Sequence, residues 1–86
     1  MARLTTLLLW RNQIDDDGAT ALAESPYLSS LRELQLVGNR IGDAGAEALA
    51  ASPHLRRLRT LELRGSHLTG TECDLLRARF GDGVVF

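Results

Sequence analysis

Leucines separated by one residue recur at three places along the chain, and each pair opens a new segment. The pairs are Leu7 and Leu9, Leu34 and Leu36, and Leu61 and Leu63. A period of two is typical of a β-strand that buries one face, because successive side chains of a strand point to opposite sides. The pattern therefore predicts three short strands whose leucines point into a shared core.

A helical pattern follows the first of these strands. Ala19, Leu22 and Ala23 are spaced as they would be on one face of a helix. The helix is expected to end before Ser25 and Pro26, since a residue that precedes proline disfavours the helical conformation. The second segment has the same pattern, so each segment is predicted to be a strand followed by a helix.

Polar residues at the starts of these helices predict how each helix is capped. Asp16 and Asp43 are expected to be N-caps, because a carboxylate can accept hydrogen bonds from the free amides of a first turn. In the third segment, Thr69 and Glu72 fit a capping box, in which each side chain bonds the other residue's amide. The acidic run at residues 15–17 does not match the spacing of a calcium loop, so helix capping is the preferred interpretation.

The chain repeats itself with a period of 27 residues, and residues 4–30 are identical to residues 31–57 at 14 positions. A third unit keeps the leucines but lacks the Ser-Pro pair. Such a period indicates a solenoid, because each unit is too small to bury its own apolar face. We predict one domain over 1–86, with repeats 4–30, 31–57 and 58–83. A closing strand is predicted at 84–86, with Val85 one period beyond Leu58.

The repeated residues resemble the leucine-rich repeat, whose pattern is L-x-x-L-x-L-x-x-N-x-I/L. The D-x-G-A-x-A-L-A helix that follows is similar to the ribonuclease-inhibitor-like subclass. The resemblance implies an α/β solenoid, a short right-handed horseshoe arc with parallel strands on its concave face and helices on its convex face. It implies protein binding as the usual activity, through the strand positions that face solvent. The pattern is carried by Leu4, Leu7, Leu9, Asn12 and Ile14, by Leu31, Leu34, Leu36, Asn39 and Ile41, and by Leu58, Leu61, Leu63, Ser66 and Leu68.

One asparagine stands at the bend after each of the first two strands. Asn12 and Asn39 could be a functional polar pair, but the preferred interpretation is structural, since such side chains can bond the backbone groups that a turn leaves unpaired. Ser66 takes this position in the third unit. Its shorter side chain predicts a looser last turn.

Alternation along the strands predicts two large apolar side chains on the concave surface, Leu8 and Trp10. Parallel strands in register would place Trp10 beside Val37 and Arg64. An exposed aromatic side chain ringed by polar groups has the composition of a binding hot spot. We therefore predict a protein-binding site formed by Leu8, Trp10, Arg11, Glu33, Gln35, Val37, Glu62 and Arg64.

The first repeat has an apolar flank that nothing in the sequence is expected to cover, since only residues 1–3 precede it. Two alternatives to binding through the concave face follow. The chain is the C-terminal capping or regulatory segment of a longer leucine-rich repeat protein, or it associates with itself through this edge. The residues of the edge are Leu4, Leu7, Leu9, Ile14 and Leu22.

Composition excludes several function classes. Ten basic residues against eleven acidic ones give a net charge of -1, which lacks the basic excess of a nucleic-acid-binding protein. No apolar run reaches the length of a membrane span, so no membrane partner is expected. The single cysteine, Cys73, cannot form an internal disulfide. A reducing, cytoplasmic location is therefore predicted.

The sequence contains no recognisable catalytic motif. It has no lysine, no phosphate-binding loop and no nucleophile elbow. His54 and His67 are not at the spacing of zinc ligands. Cys73 takes the place of Ala19 and Ala46 in the earlier repeats, which predicts a buried, unreactive thiol. We expect a protein that is not an enzyme and needs no cofactor or metal.

Overall fold

A computed structural model describes residues 4–86, in which strands and helices alternate along the chain. The strands are β1 (Thr6–Leu8), β2 (Glu33–Gln35), β3 (Thr60–Glu62) and β4 (Val84–Val85), and the helices are α1 (Asp16–Ala23), α2 (Asp43–Ala51) and α3 (Gly70–Phe80). Short 3₁₀ turns follow α1 and α3, at Pro26–Leu28 and Gly81–Gly83. This alternation confirms the predicted α/β arrangement.

All four strands form one parallel sheet in the order β1-β2-β3-β4. The register pairs Leu7 with Leu34 and Leu34 with Leu61, so the leucines of successive strands stack in a row. Parallel neighbours need a crossover connection, and here each crossover contains one helix. The helices therefore pack together on one face of the sheet and leave the other face open.

The core lies between the sheet and the helices. The paired strand leucines of the second and third repeats are almost fully buried, but their counterparts in the first repeat, Leu7 and Leu9, are only half-buried. The difference arises because β1 has a neighbouring strand on one side only. The largest fully buried side chains are Leu31, Leu34, Leu36, Ile41, Leu49, Leu55, Leu61, Leu63 and Leu76.

The aspartates at the helix starts are placed differently from the prediction. Asp15, not Asp16, is the N-cap of α1, and its Oδ1 accepts a hydrogen bond from the Gly18 amide at 3.0 Å. Asp16 Oδ1 instead accepts from the amides of Gly42 at 2.7 Å and Gly45 at 3.0 Å. The N-cap of α2 is Gly42, which has no side chain to cap with. The carboxylate of one repeat thus caps the helix of the next.

The same cross-repeat bond replaces the predicted capping box of α3. Asp43 Oδ1 accepts from the Thr69 amide at 2.9 Å, so this amide is not available to Glu72. Thr69 is the N-cap, but within residues 4–86 its side chain makes no capping hydrogen bond. The predictions of Asp43 as an N-cap and of a Thr69–Glu72 box were therefore wrong.

The closing strand pairs with β3 earlier than predicted. Val84 lies beside Leu61 and Val85 beside Glu62, whereas the repeat period would put Val85 level with Leu58. The connection from α3 to β4 is shorter than the repeat period predicts, because two glycines allow the backbone to turn tightly. Gly81 has a φ of +74°, and a Cβ on Gly83 would stand only 1.7 Å from the Arg59 carbonyl oxygen.

Candidate functional site

The open face of the sheet carries alternate side chains of β1, β2 and β3. We call this surface the sheet face, and it consists of Leu8, Trp10, Arg11, Glu33, Gln35, Val37, Glu62 and Arg64. The register puts Leu8 beside Gln35 and Gln35 beside Glu62. Leu8 is 53% exposed and Trp10 is 56% exposed. All eight residues predicted from the sequence thus lie on or at the rim of one surface.

A shallow cleft of about 440 Å³ opens at the end of the sheet face where the strands end. Its lining combines one aromatic, one aliphatic and three charged side chains, drawn from all three repeats. The lining residues are Trp10, Arg11, Val37, Glu62 and Arg64. The cleft is therefore formed only when the repeats stack in register.

Hydrogen bonds hold the side chains of the sheet face in place. The Trp10 indole Nε1 donates to Gln35 Oε1 at 2.6 Å, and Gln35 Nε2 donates to Glu33 Oε2 at 2.5 Å. Arg64 forms an ion pair with Glu62 on the neighbouring part of the face. These contacts satisfy the polar atom of the indole. They leave its apolar ring as the part that is free to contact a partner.

Arg11 reaches the cleft from an unusual backbone conformation. Its φ is +53°, while the equivalent residues of the next two repeats, Gly38 and Gly65, have φ values of +74° and +89°. This left-handed region favours glycine, and a side chain there costs about 1–2 kcal/mol. The first repeat thus bears a strained turn that places a guanidinium at the rim of the cleft.

Asn39 confirms the structural interpretation of the asparagine position. Its Oδ1 accepts from the amides of Asn12 at 2.9 Å and Ile14 at 3.1 Å, and its Nδ2 donates to the Leu9 carbonyl at 2.6 Å. The Asn12 side chain itself is exposed and forms no hydrogen bond with the part of the chain that the structure describes. The structural role therefore holds for Asn39, which has a preceding repeat to bond, and not for Asn12.

The predicted self-association edge lies along β1, the outermost strand of the sheet. Leu4 is 44% exposed, and Leu7, Leu9, Ile14 and Leu22 are half-buried against the core. These side chains are too exposed for a closed core, because no further strand and helix cover them within residues 4–86.

One charged surface was missed by sequence reasoning. Four exposed arginines gather at the end of the sheet where the strands begin, and they are Arg32, Arg56, Arg57 and Arg59. The overall charge hides this surface, because the acidic residues that balance it lie elsewhere. The signal that could have revealed it is positional, since these arginines all fall in the two connections from a helix to the next strand.

The predicted burial of the Cys73 thiol is not confirmed. Cys73 is half-buried rather than buried, because no further helix packs on α3 within the described residues. Across residues 4–86, no group of three or more histidine, cysteine or acidic side chains could hold a metal ion. Over the same span, every helix is too short or too polar to cross a membrane.

Comparison with known protein families identifies the repeats. The family described as Leucine Rich repeat matches residues 4–23 and 27–50. The two matched segments together make up just over half of the 86 residues. None of the curated proteins compared with the chain matches it. The matched segments cover β1, α1, β2 and nearly all of α2, and so include six of the eight residues of the sheet face.

Proposed function

Because this chain belongs to the leucine-rich repeat family, whose members generally serve as protein-interaction modules, we propose that it binds a protein partner through its sheet face. The observation that carries the proposal is the exposed pair Leu8 and Trp10 beside a cleft of about 440 Å³. Exposed apolar side chains next to a concave surface are characteristic of interaction sites.

The side chains of the sheet face suggest which type of contact each residue makes with the partner. Trp10 presents a large apolar ring that is already oriented by Gln35, so little conformational freedom is lost when a partner covers it. Arg11 at the rim is exposed, and it can pair with a carboxylate of the partner. Tryptophan and arginine are among the residue types most enriched in the hot spots of protein interfaces.

The proposal has four finer parts. The chain is a member of the ribonuclease-inhibitor-like subclass with 27-residue repeats, and its sheet face is concave. It acts by binding rather than by catalysis, and it needs no cofactor. It works in the cytoplasm. Its partner is a protein rather than a nucleic acid or a membrane, which agrees with the net charge of -1.

The test compares exposed side chains of the sheet face with an exposed leucine that lies elsewhere. Leu8 on the sheet face is 53% exposed, and Leu75 on α3 is 46% exposed. Partners are captured from a lysate and identified, and their affinities for wild type, Trp10→Ala, Leu8→Ala and Leu75→Ala are measured by titration calorimetry. We expect Trp10→Ala to weaken binding by about 2 kcal/mol or more, roughly 30-fold, while Leu75→Ala leaves it unchanged. Equal affinities for wild type and Trp10→Ala would refute the proposal.

A second candidate function rests on the edge of β1. The outer amides and carbonyls of this strand face no neighbour within residues 4–86, and Leu4 is 44% exposed beside them. A strand from another leucine-rich repeat fits there, either from a second copy of the chain or from further repeats of a longer protein that this segment would cap.

Light scattering tests the version with a second copy. A dimer is expected for the wild type, and a monomer for Leu4→Arg, with circular dichroism to confirm that the variant stays folded. Wild-type protein that is monomeric at high concentration would eliminate self-association through this edge.

A further inference from the structure

We propose that the four arginines at the start of the strands form a second binding surface, which accepts a short acidic segment of a protein. We call this surface the arginine face, defined by Arg32, Arg56, Arg57 and Arg59. It lies at the opposite end of the strands from the cleft lined by Trp10. The inference concerns a different surface from the sheet face and stands independently of it.

The sheet register fixes two of these arginines side by side. Arg32 and Arg59 directly precede β2 and β3, and the Arg59 amide donates to the Arg32 carbonyl at 2.8 Å. Neighbouring strands lie about 4.8 Å apart, so two positive side chains start from adjacent backbone positions. Like charges that face each other across strands are destabilising. An anion between them would remove this repulsion.

The other two arginines lie in the connection between α2 and β3. Arg56 Nε donates to the Pro53 carbonyl at 2.9 Å, which orients the guanidinium and leaves its two outer nitrogens free for a ligand. Two open hollows of about 350 and 340 Å³ share Arg56 and Arg57 in their walls. The second hollow also contains Ser30, whose hydroxyl can donate to an anion, and Ser29, whose hydroxyl already donates to the Pro26 carbonyl at 2.9 Å.

The described part of the chain supplies no anion to this face. All four arginines are exposed, and the one ion pair within residues 4–86 joins Arg64 to Glu62 on the sheet face. Cations near the C-terminal end of a helix can serve to offset its dipole. Arg79 already occupies that role, because its Nη1 donates to the Ala50 carbonyl near the end of α2 at 2.8 Å. The four arginines are thus left with guanidinium groups that face solvent.

Guanidinium groups match carboxylates well, since each can form two parallel hydrogen bonds to one carboxylate. A short acidic segment is favoured over a long polyanion by the charges at the other end of the strands. Asp15, Asp16, Asp17 and Asp43 gather there at the starts of the helices, and the net charge is -1. A nucleic acid that extends beyond the arginine face would approach these carboxylates and be repelled.

Fluorescence anisotropy with a labelled hexaglutamate peptide at low ionic strength tests the proposal. Arg57 and Arg40 make a matched pair, because both are exposed, but Arg40 lies beside Asp15–Asp17 at the other end of the strands. We expect the peptide to bind about threefold more weakly to Arg57→Ala and about tenfold more weakly to Arg57→Glu, with steep salt dependence. Arg40→Ala should bind as wild type does.

Three results would overturn the proposal. The first is no binding of hexaglutamate to the wild type at low ionic strength. The second is equal affinity for wild type and Arg57→Glu. The third is tighter binding of a long single-stranded oligonucleotide than of hexaglutamate, which would assign the face to nucleic acid. Trp10→Ala serves to separate the two surfaces. This variant should leave the affinity for hexaglutamate unchanged, even though it weakens the binding of a partner to the sheet face.

Discussion

At the scale of single residues, adjacent positions at the end of β2 have opposite energetic roles. Leu36 follows β2 and is fully buried between two repeats, whereas Gln35 points to the sheet face and bonds Trp10. The alternation of a strand produces this contrast, because each step along the backbone turns the side chain to the other side. Stability and binding can therefore be changed independently by mutations one residue apart.

The mutation Leu36→Ala tests the buried side of this pair. It removes a fully buried side chain and leaves a cavity, so we expect the free energy of unfolding to fall by about 2–5 kcal/mol. Gln35→Ala should cost less than about 1 kcal/mol, since this side chain bonds only other groups of the exposed face. Urea unfolding measures both variants. Similar losses for the two would contradict the assigned strand orientation.

Glu72 has surroundings that disfavour its negative charge. It stands where the second repeat has Gly45, a position at which a Cβ would meet the Asp16 carboxylate at 2.8 Å. Its Oε2 is shielded from solvent and has no hydrogen-bond partner among the described residues. Desolvation, then the negative charges of Glu47 and Asp43, raise the pKa of Glu72 above its ordinary value of 4.5.

This raised pKa predicts a stability that depends on pH. Protonated Glu72 is tolerated in the folded state, so its contribution is fully present below pH 4.5 and is lost as the pH rises through the folded-state pKa. Glu72→Gln should therefore melt at a higher temperature than wild type at neutral pH. The two should converge below pH 4.5. Asp74→Asn, an exposed change on the same helix, is the control, and a gain in melting temperature equal to that of Glu72→Gln would contradict the assignment.

At the scale of elements, the repeats are joined by polar groups that reach across a boundary in both directions. Asn39 bonds backward to the first repeat, and Asp16 bonds forward to the start of α2. The strands and helices could be predicted from leucine and alanine spacing, because that spacing is local. The capping partners could not, since a side chain such as Asp16 bonds a residue 26 positions away.

Ser66 weakens the boundary between the second and third repeats. It occupies the position of Asn39, but its hydroxyl has no hydrogen-bond partner within residues 4–86. Ser66→Asn should supply bonds equivalent to those of Asn39 and raise the free energy of unfolding by about 1–2 kcal/mol. Asn39→Ser should lower it by a similar amount or more. Asn12→Ser is the matched control, because the Asn12 side chain is exposed, and a loss as large as that of Asn39→Ser would contradict the argument.

The last connection depends on the absence of a side chain at Gly83. A methyl group there would stand 1.7 Å from the Arg59 carbonyl oxygen, so the backbone must move and β4 must shift away from β3. We expect Gly83→Ala to lower the free energy of unfolding by about 2 kcal/mol or more. Gly70→Ala is the control, since nothing lies within 4 Å of its added methyl. Equal stability of the two variants in urea would mean that the closing strand is placed wrongly.

At the scale of the whole molecule, different faces carry different chemistry. The sheet face is aromatic and polar, the edge of β1 is apolar, and the arginine face is basic. The sheet face and the edge could be predicted from the repeat pattern, because alternation and stacking fix which side chains are exposed. The arginine face could not, because a net charge of -1 sums over surfaces that the fold separates.

The central claim is that a protein partner covers Trp10 on the sheet face. Trp10 is the single tryptophan of the chain, and Leu75 on α3 is a reference of similar exposure. Hydroxyl-radical footprinting of the complex with a captured partner, read by mass spectrometry, measures both side chains in one experiment. The proposal predicts that oxidation of Trp10 slows severalfold while that of Leu75 stays constant. Oxidation of Trp10 at the same rate in the free protein and in the saturated complex would contradict it.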